Sequence, residues 1–208
     1  MYKFAFLISV LLIVAPLNVY AYGPFDYTNP THYREKLPVV EKYHFNKDVE
    51  TLKNGMDGKS VGDDLSYVLR TFPNHHRALN SMMRLWRRYQ QKNAIPPGLT
   101  RDKTPDYWYK RAISFSPHDG VVKMLYGIYL HSEGKLDQAL VLYKEAEVNL
   151  PAAFLSELHY DMGLLFIKMK KYRDAALQAH KAYVLGYPLP GLREKLKAVG
   201  AWPKYTAH

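Results

Sequence analysis

The chain contains no cysteine. That excludes disulfide bonds, thiolate metal ligands, a cysteine nucleophile and a lipid-modified N-terminal cysteine. Acids are also scarce: 19 Asp and Glu stand against 29 Lys and Arg, for a formal net charge of +10. The shortage is concentrated, since residues 65–101 carry seven Arg or Lys and no Asp or Glu at all. Beyond the N-terminus no apolar run approaches the ~20 residues that a membrane span requires. No stretch alternates with period two, so no sheet is expected. There is no nucleophile elbow, phosphate-binding glycine loop or paired-carboxylate pattern. His75 and His76 are adjacent, which on a helix turns them about 100° apart, and the other histidines lack ligand spacing. These absences argue against an enzyme, against a bound cofactor and against a metal site.

What is present points to a folded, exported chain. Apolar residues make up 48% and charged residues 23% of the 208, ordinary proportions for a packed domain. Lys3 supplies a short positive start, an apolar run follows over residues 4–14, Pro16 and Asn18 break it, and Val19, Tyr20 and Ala21 end it on a small residue. This is the three-part layout of a secretory signal. Cleavage is expected after Ala21, leaving the protein periplasmic or secreted; the alternative is an uncleaved N-terminal membrane anchor. Removing residues 1–21 takes away one lysine and no acid, so the charge falls from +10 to +9. An exported basic chain meets acidic proteins, anionic lipids or anionic wall polymers, whereas export removes nucleic acid as a partner.

Residues 22–38 contain Gly23, Pro24, Pro30 and Pro38 with Tyr22, Phe25, Tyr27 and Tyr33. Prolines suggest an extended arm. Its aromatics require cover, so it is expected to dock on the repeat surface, with the groove as one possible seat. Residues 39–73 suggest short helices and a partial repeat: 39–45, then 46–53 with Gly55 as a stop, then 63–71 ended by Pro73, with Asp63 and Asp64 capping. Asn74 suits an N-cap before a long helix to residue 92. Pro96, Pro97 and Gly98 make residues 93–104 a loop. Helical patterns return at 104–115, 119–132, 135–149, 152–169, 172–185 and 190–199. Tyr107, Trp108 and Tyr109 fall on one of these helices and read as packing.

Comparing the helices reveals a repeat. Tyr109, Ala112 and Pro117 recur 34 residues later as Tyr143, Ala146 and Pro151. Gly127, Ala139 and Ala146 recur 36 residues later as Gly163, Ala175 and Ala182. Small residues at such spacing let two helices cross closely, and Gly134 permits a tight turn between them. This pattern resembles the tetratricopeptide repeat, a 34-residue helix-turn-helix. The resemblance implies an all-α right-handed superhelix of about three helix-turn-helix units over residues 74–200. The units run 74–117 with the 93–104 loop inserted, 120–153 and 156–187, followed by a capping helix at 188–200. Pro105 departs from the pattern and is expected to distort the first unit. The resemblance also implies that Gly127 and Gly163 lie at close helix crossings.

It further implies a protein-binding module whose first helices line a concave groove. Carrying the phasing over position by position puts Arg77, Asn80, Arg84, Arg87 and Arg88 in the groove from the first unit. The second unit adds Val121, Met124, Ile128, His131 and Ser132, and the third Glu157, Tyr160, Leu164, Ile167 and Lys168. Independently, Arg77, Arg84 and Arg88 fall within about 40° on a helical wheel. Arginine forks suit carboxylates. The expected partner is an acidic or mixed acidic-apolar protein segment, held by Arg77, Asn80, Arg84, Arg87, Arg88, Met124, Ile128, His131, Tyr160 and Leu164. The alternative is an anionic lipid or wall polymer meeting the cluster around Arg84.

Overall fold

A computed structural model describes residues 23–202; the signal-like segment and its expected cleavage point lie outside them. Among the described residues there are eleven α-helices and no strand, as the absence of period-two alternation requires. The helices are α1 (Pro30–Glu35), α2 (Leu37–His44), α3 (Lys47–Glu50), α4 (Val61–Thr71), α5 (His76–Gln90), α6 (Pro105–Phe115), α7 (Gly120–Ser132), α8 (Leu136–Asn149), α9 (Leu155–Lys168), α10 (Tyr172–Val184) and α11 (Gly191–Ala198). A 3₁₀ turn, Ala152–Phe154, leads into α9. None of the described helices is long and apolar enough to cross a membrane.

Side-chain caps start several helices. The Asn29 carboxamide accepts from the backbone N–H groups of Thr31 and His32, and Asn46 accepts from Val49. Ser60 and Asp63 form a reciprocal capping box on α4, and Asp119 accepts from Val121 and Val122. Each satisfies donors that a helix start leaves unpaired, worth ~1 kcal/mol. The cap of α5 is His75, not Asn74: its Nδ1 accepts from the Ala78 N–H at 3.1 Å. Asn74 is instead fully buried. Its amide nitrogen donates to Asp26 at 2.8 Å and Asp119 at 3.1 Å, and its oxygen accepts from the Tyr27 N–H at 2.9 Å.

That network changes the reading of the arm. Only its first residues are extended. Pro30 and Pro38 sit in the first turns of α1 and α2, where a helix has no use for the missing N–H. The prolines therefore start helices. The extended residues do dock, at the corner between α4 and α5. Phe25 donates its N–H to the Thr71 carbonyl at 2.7 Å and packs on Phe72, ring centres 5.5 Å apart. Tyr27 lies against His75 and His76, at 4.5 and 4.8 Å.

The later helices pair. α7 packs intimately with α8, and α9 with α10; α5 touches α7, α7 touches α9, and α11 closes on α9 and α10. By contrast α5 and α6, separated by the 93–104 loop, share little contact. In the α7–α8 hairpin, a Cβ placed on Gly127 would stand 2.6 Å from Cε1 of Tyr143, a ring that is itself fully buried. The second hairpin solves the same problem differently. The position 36 residues after Tyr143 is Ala179, and the space over Gly163 is filled by Leu192 of α11. Gly163 is thus a close approach, but to the terminal helix. The turns match as well: Gly134 has φ +77°, and Lys170, 36 residues later, has φ +58°.

One core runs through all of this, with Trp108, Tyr109, Tyr143, Phe72 and Leu165 among its fully enclosed side chains. Trp108 and Tyr109 are packing residues, while Tyr107 reaches solvent.

Candidate partner-binding surface

Helix α5 is amphipathic: Ala78, Leu79, Met82, Met83 and Leu85 are buried, and the arginines occupy the other side. The five sequence-selected residues of this helix have separate fates. Arg77 is fully engaged. Its Nε and Nη2 donate to the two carboxylate oxygens of Glu50, both at 2.9 Å, and Nη1 donates to Glu41 at 3.0 Å. Its guanidinium also lies over the Phe45 ring, 5.2 Å from the centroid. The bidentate fork holds the Glu50 carboxyl down at about 2, a strong charge-assisted pair. The acids missing from residues 65–101 are thus supplied by α2 and α3, and Arg77 is a tie between α5 and the N-terminal helices. Arg88 is spent too: Nη1 donates to the Leu52 carbonyl at 2.8 Å. Leu52 has φ +63° and is buried, a conformation that persists only when its surroundings fix it.

Arg84 and Arg87 are different. Neither makes an ion pair or hydrogen bond among the described residues. Arg84 is exposed and Arg87 half-buried. Arg87 lies close enough to Tyr109, Tyr129 and His131 to influence each of them electrostatically. His131, on α7, is half-buried, and its pKa is pushed down to about 4, chiefly by burial and then by Lys168 and Arg87. Its imidazole is therefore neutral near pH 7. Lys168, on α9, donates to the His131 carbonyl at 3.2 Å. Three helices thereby bring Arg87, His131 and Lys168 together, and neither Arg87 nor the exposed Arg84 on the same helix has a carboxylate paired to it among the described residues. Asn80 is half-buried beside them on α5.

The apolar members divide as well. Met124 is 2% exposed and Tyr160 8%, so neither offers a surface to a partner. The reason for Met124 is that α7 touches α5, α6, α8 and α9 and is apolar on nearly every side, as a helix so enclosed must be. Tyr160 is covered by Tyr187, the rings stacked 4.2 Å apart. Ile128 and Leu164 remain half-buried and reach the surface.

Several polar features went unseen in the sequence. Tyr109, Tyr126 and Tyr129 form a cluster of rings, 5.2 to 6.3 Å between centroids. The Tyr126 hydroxyl donates to Asp106, which also pairs with Lys110. On α9, Asp161 makes no hydrogen bond or ion pair among the described residues, and its carboxyl is pushed up to about 7 by burial and then by Glu157 one turn away. The buried Tyr143 hydroxyl nearby has no partner. Near the arm, His76 pairs with Asp119 at 2.8 Å while its neighbour His75 turns to Glu41 at 3.1 Å. Among the described residues no group of three or more His, Asp or Glu is placed to hold a metal ion. Comparison with family models, curated proteins and solved structures finds no significant match.

Proposed function

We propose that this chain is an interaction module of the tetratricopeptide-repeat type, exported from the cytoplasm, that binds an acidic or mixed acidic-apolar segment of a partner protein. The observation that carries the reading is Arg87, left without a carboxylate partner and acting with Lys168 on His131, with Arg84 exposed and equally unpaired on the same helix and Ile128 and Leu164 half-covered on α7 and α9. Unpaired arginine forks suit a carboxylate through paired charged hydrogen bonds. The neutral His131 adds a hydrogen-bonding group without adding charge. The close α7–α8 and α9–α10 hairpins and the stacking of α5, α7 and α9 are consistent with a repeat array that presents its first helices on one side.

The test uses the purified protein and a fluorescent twelve-residue peptide of alternating Glu and Leu, titrated at two salt concentrations. Binding should be saturable and should weaken as the screening length falls below about 10 Å. Reversing Arg84 and Arg87 to Glu should weaken it further than truncation to Ala, because repulsion adds to lost attraction. Arg77 and Arg88 are left intact, since they hold the fold. Salt-independent binding equal in wild type and variant refutes the assignment. Binding of anionic phospholipid vesicles with no peptide binding transfers the basic face to a lipid or wall polymer.

A further inference from the structure

We infer that a second binding site, for a small molecule carrying an oxyanion on a ring-sized body, lies between α2, α4 and the 93–104 loop. It shares no residue with the proposed partner-binding face and does not depend on that reading. The site is a cavity of about 320 Å³, within the range of small-molecule sites, ~300–1,000 Å³.

The inserted loop builds the outer wall, and it is seated firmly. Ser60 Oγ donates to the Pro97 carbonyl at 2.9 Å. A Cβ on Gly98 would collide with Ser60 Oγ, and one on Gly62 would collide with the Pro97 carbonyl. Loop and helix start are therefore fitted backbone to backbone, so the cavity behind them is a lasting feature of the fold.

Its lining sets three cationic side chains against two carboxylates. Lys59, Arg70 and Lys103 border the cavity from three different segments; none of their side chains makes an ion pair or hydrogen bond among the described residues, and the charge nearest Lys103 is that of the exposed Asp102. The two carboxylates there are already engaged. Asp64 accepts from His44 Nδ1 at 2.9 Å and from the Met56 N–H at 2.7 Å. Asp63 accepts from the Ser60 N–H at 3.1 Å. Ser66, 5% exposed, faces the same space with a hydroxyl that has no partner. One wall is a stacked His44–Tyr67 pair, 3.8 Å between ring centres. Free cations and a free hydroxyl suit phosphate or carboxylate oxygens; the ring wall suits a flat or cyclic body. A bare ion would use the first set and leave the second unused.

The experiment titrates the purified protein by calorimetry with phenyl phosphate, benzoate and inorganic phosphate in parallel, and follows backbone amide shifts. The expected result is saturable one-to-one binding of phenyl phosphate or benzoate, the stronger of the two naming the oxyanion. Inorganic phosphate should bind more weakly than phenyl phosphate. Shifts should concentrate at Ser66, Tyr67 and Gly98. Arg70→Gln with Lys103→Gln should weaken binding about tenfold or more through two lost charge-assisted hydrogen bonds, with the helical spectrum unchanged because both side chains reach solvent. No saturable binding of either aryl oxyanion overturns the site. Shifts confined elsewhere, or affinity unchanged in the double variant, overturn it as well. Equal affinity for phenyl phosphate and inorganic phosphate removes the ring-bearing ligand and refutes the proposal as stated.

Discussion

Substituting Gly127 by Ala adds one methyl group where the structure has no room for it. The new Cβ would stand 2.6 and 2.7 Å from Cε1 and Cδ1 of Tyr143, against an ordinary carbon–carbon approach of about 3.5–4.0 Å. Ring and helix must therefore separate by roughly 1 Å. The ring is fully enclosed and cannot simply swing aside, so α7 and α8 must move apart. Overpacking of this kind costs about 1–3 kcal/mol, partly offset by about 1 kcal/mol of helix propensity gained on replacing Gly. The net expectation is a loss of up to ~2 kcal/mol, or a fall in Tm of several degrees at ~2–4 °C per kcal/mol for a chain of this size. The assay is a thermal melt by circular dichroism of Gly127→Ala, Tyr143→Ala and the double variant. Tyr143→Ala alone should be severe, about 3–5 kcal/mol for an enclosed aromatic ring. In that background Gly127→Ala should cost nothing or add stability, giving a coupling of about 1–3 kcal/mol. Additive effects, or a raised Tm for Gly127→Ala alone, would refute the assignment of this contact as the limit on hairpin closeness.

Other perturbations separate the structural cations from the free ones. Arg77→Ala should destabilise by about 1–2 kcal/mol, since it removes the bidentate partner of Glu50 and leaves Glu41 only His75, whereas Arg84→Ala should stay within about 0.5 kcal/mol; parallel melts decide. Because Glu50 titrates near 2 when folded, its contribution is present above about 4.5 and lost as the pH falls toward 2, so Arg77→Ala should show a shallower acid limb in urea titrations. Asp161 behaves oppositely: its folded pKa, about 7, lies well above the ordinary carboxylate value, so its favourable contribution is present at low pH and is lost as the pH rises through 7. Asp161→Asn should therefore melt above wild type at pH 8, and the advantage should shrink as the pH falls below 7 and disappear near pH 4; a constant difference across this range would exclude Asp161 as the cause. Deleting residues 23–28 should lower the Tm and raise hydrogen exchange at Phe72–His76, because it uncovers Phe72 and removes two partners of Asn74; unchanged exchange there would mean the arm is dispensable.

The α7–α8 hairpin was legible because its determinants, Gly127, Ala139 and Tyr143, are close in sequence and repeat at a fixed spacing. The substitution of Leu192 for a ring over Gly163 was not, since the compensating residue comes from another helix and leaves no periodic trace. Arg77 illustrates the limit of local charge counting. Its partners lie 27 and 36 residues upstream, outside any window that made the segment look uncompensated. The arm was misread for a different reason: proline excludes the helix interior but favours the first turn, and sequence alone did not say which applied. The helical wheel places Arg77, Arg84 and Arg88 on one side of α5, and that side is the one left unburied. Phasing carried no information on how far neighbouring helices cover Met124 and Tyr160, because burial depends on what stacks next to a face and not on the direction in which it points.

Leu192 also bears on how the chain ends. A stack of helical hairpins exposes at each extremity the same kind of surface it buries inside, and so invites a further unit or a second molecule to add on. Here α11 lays Leu192 over Gly163, and Phe25 of the arm covers Phe72. An added hairpin, or another copy approaching end-on, would have to evict one of these tethered side chains, whose local concentration at its seat far exceeds that of any competitor in solution.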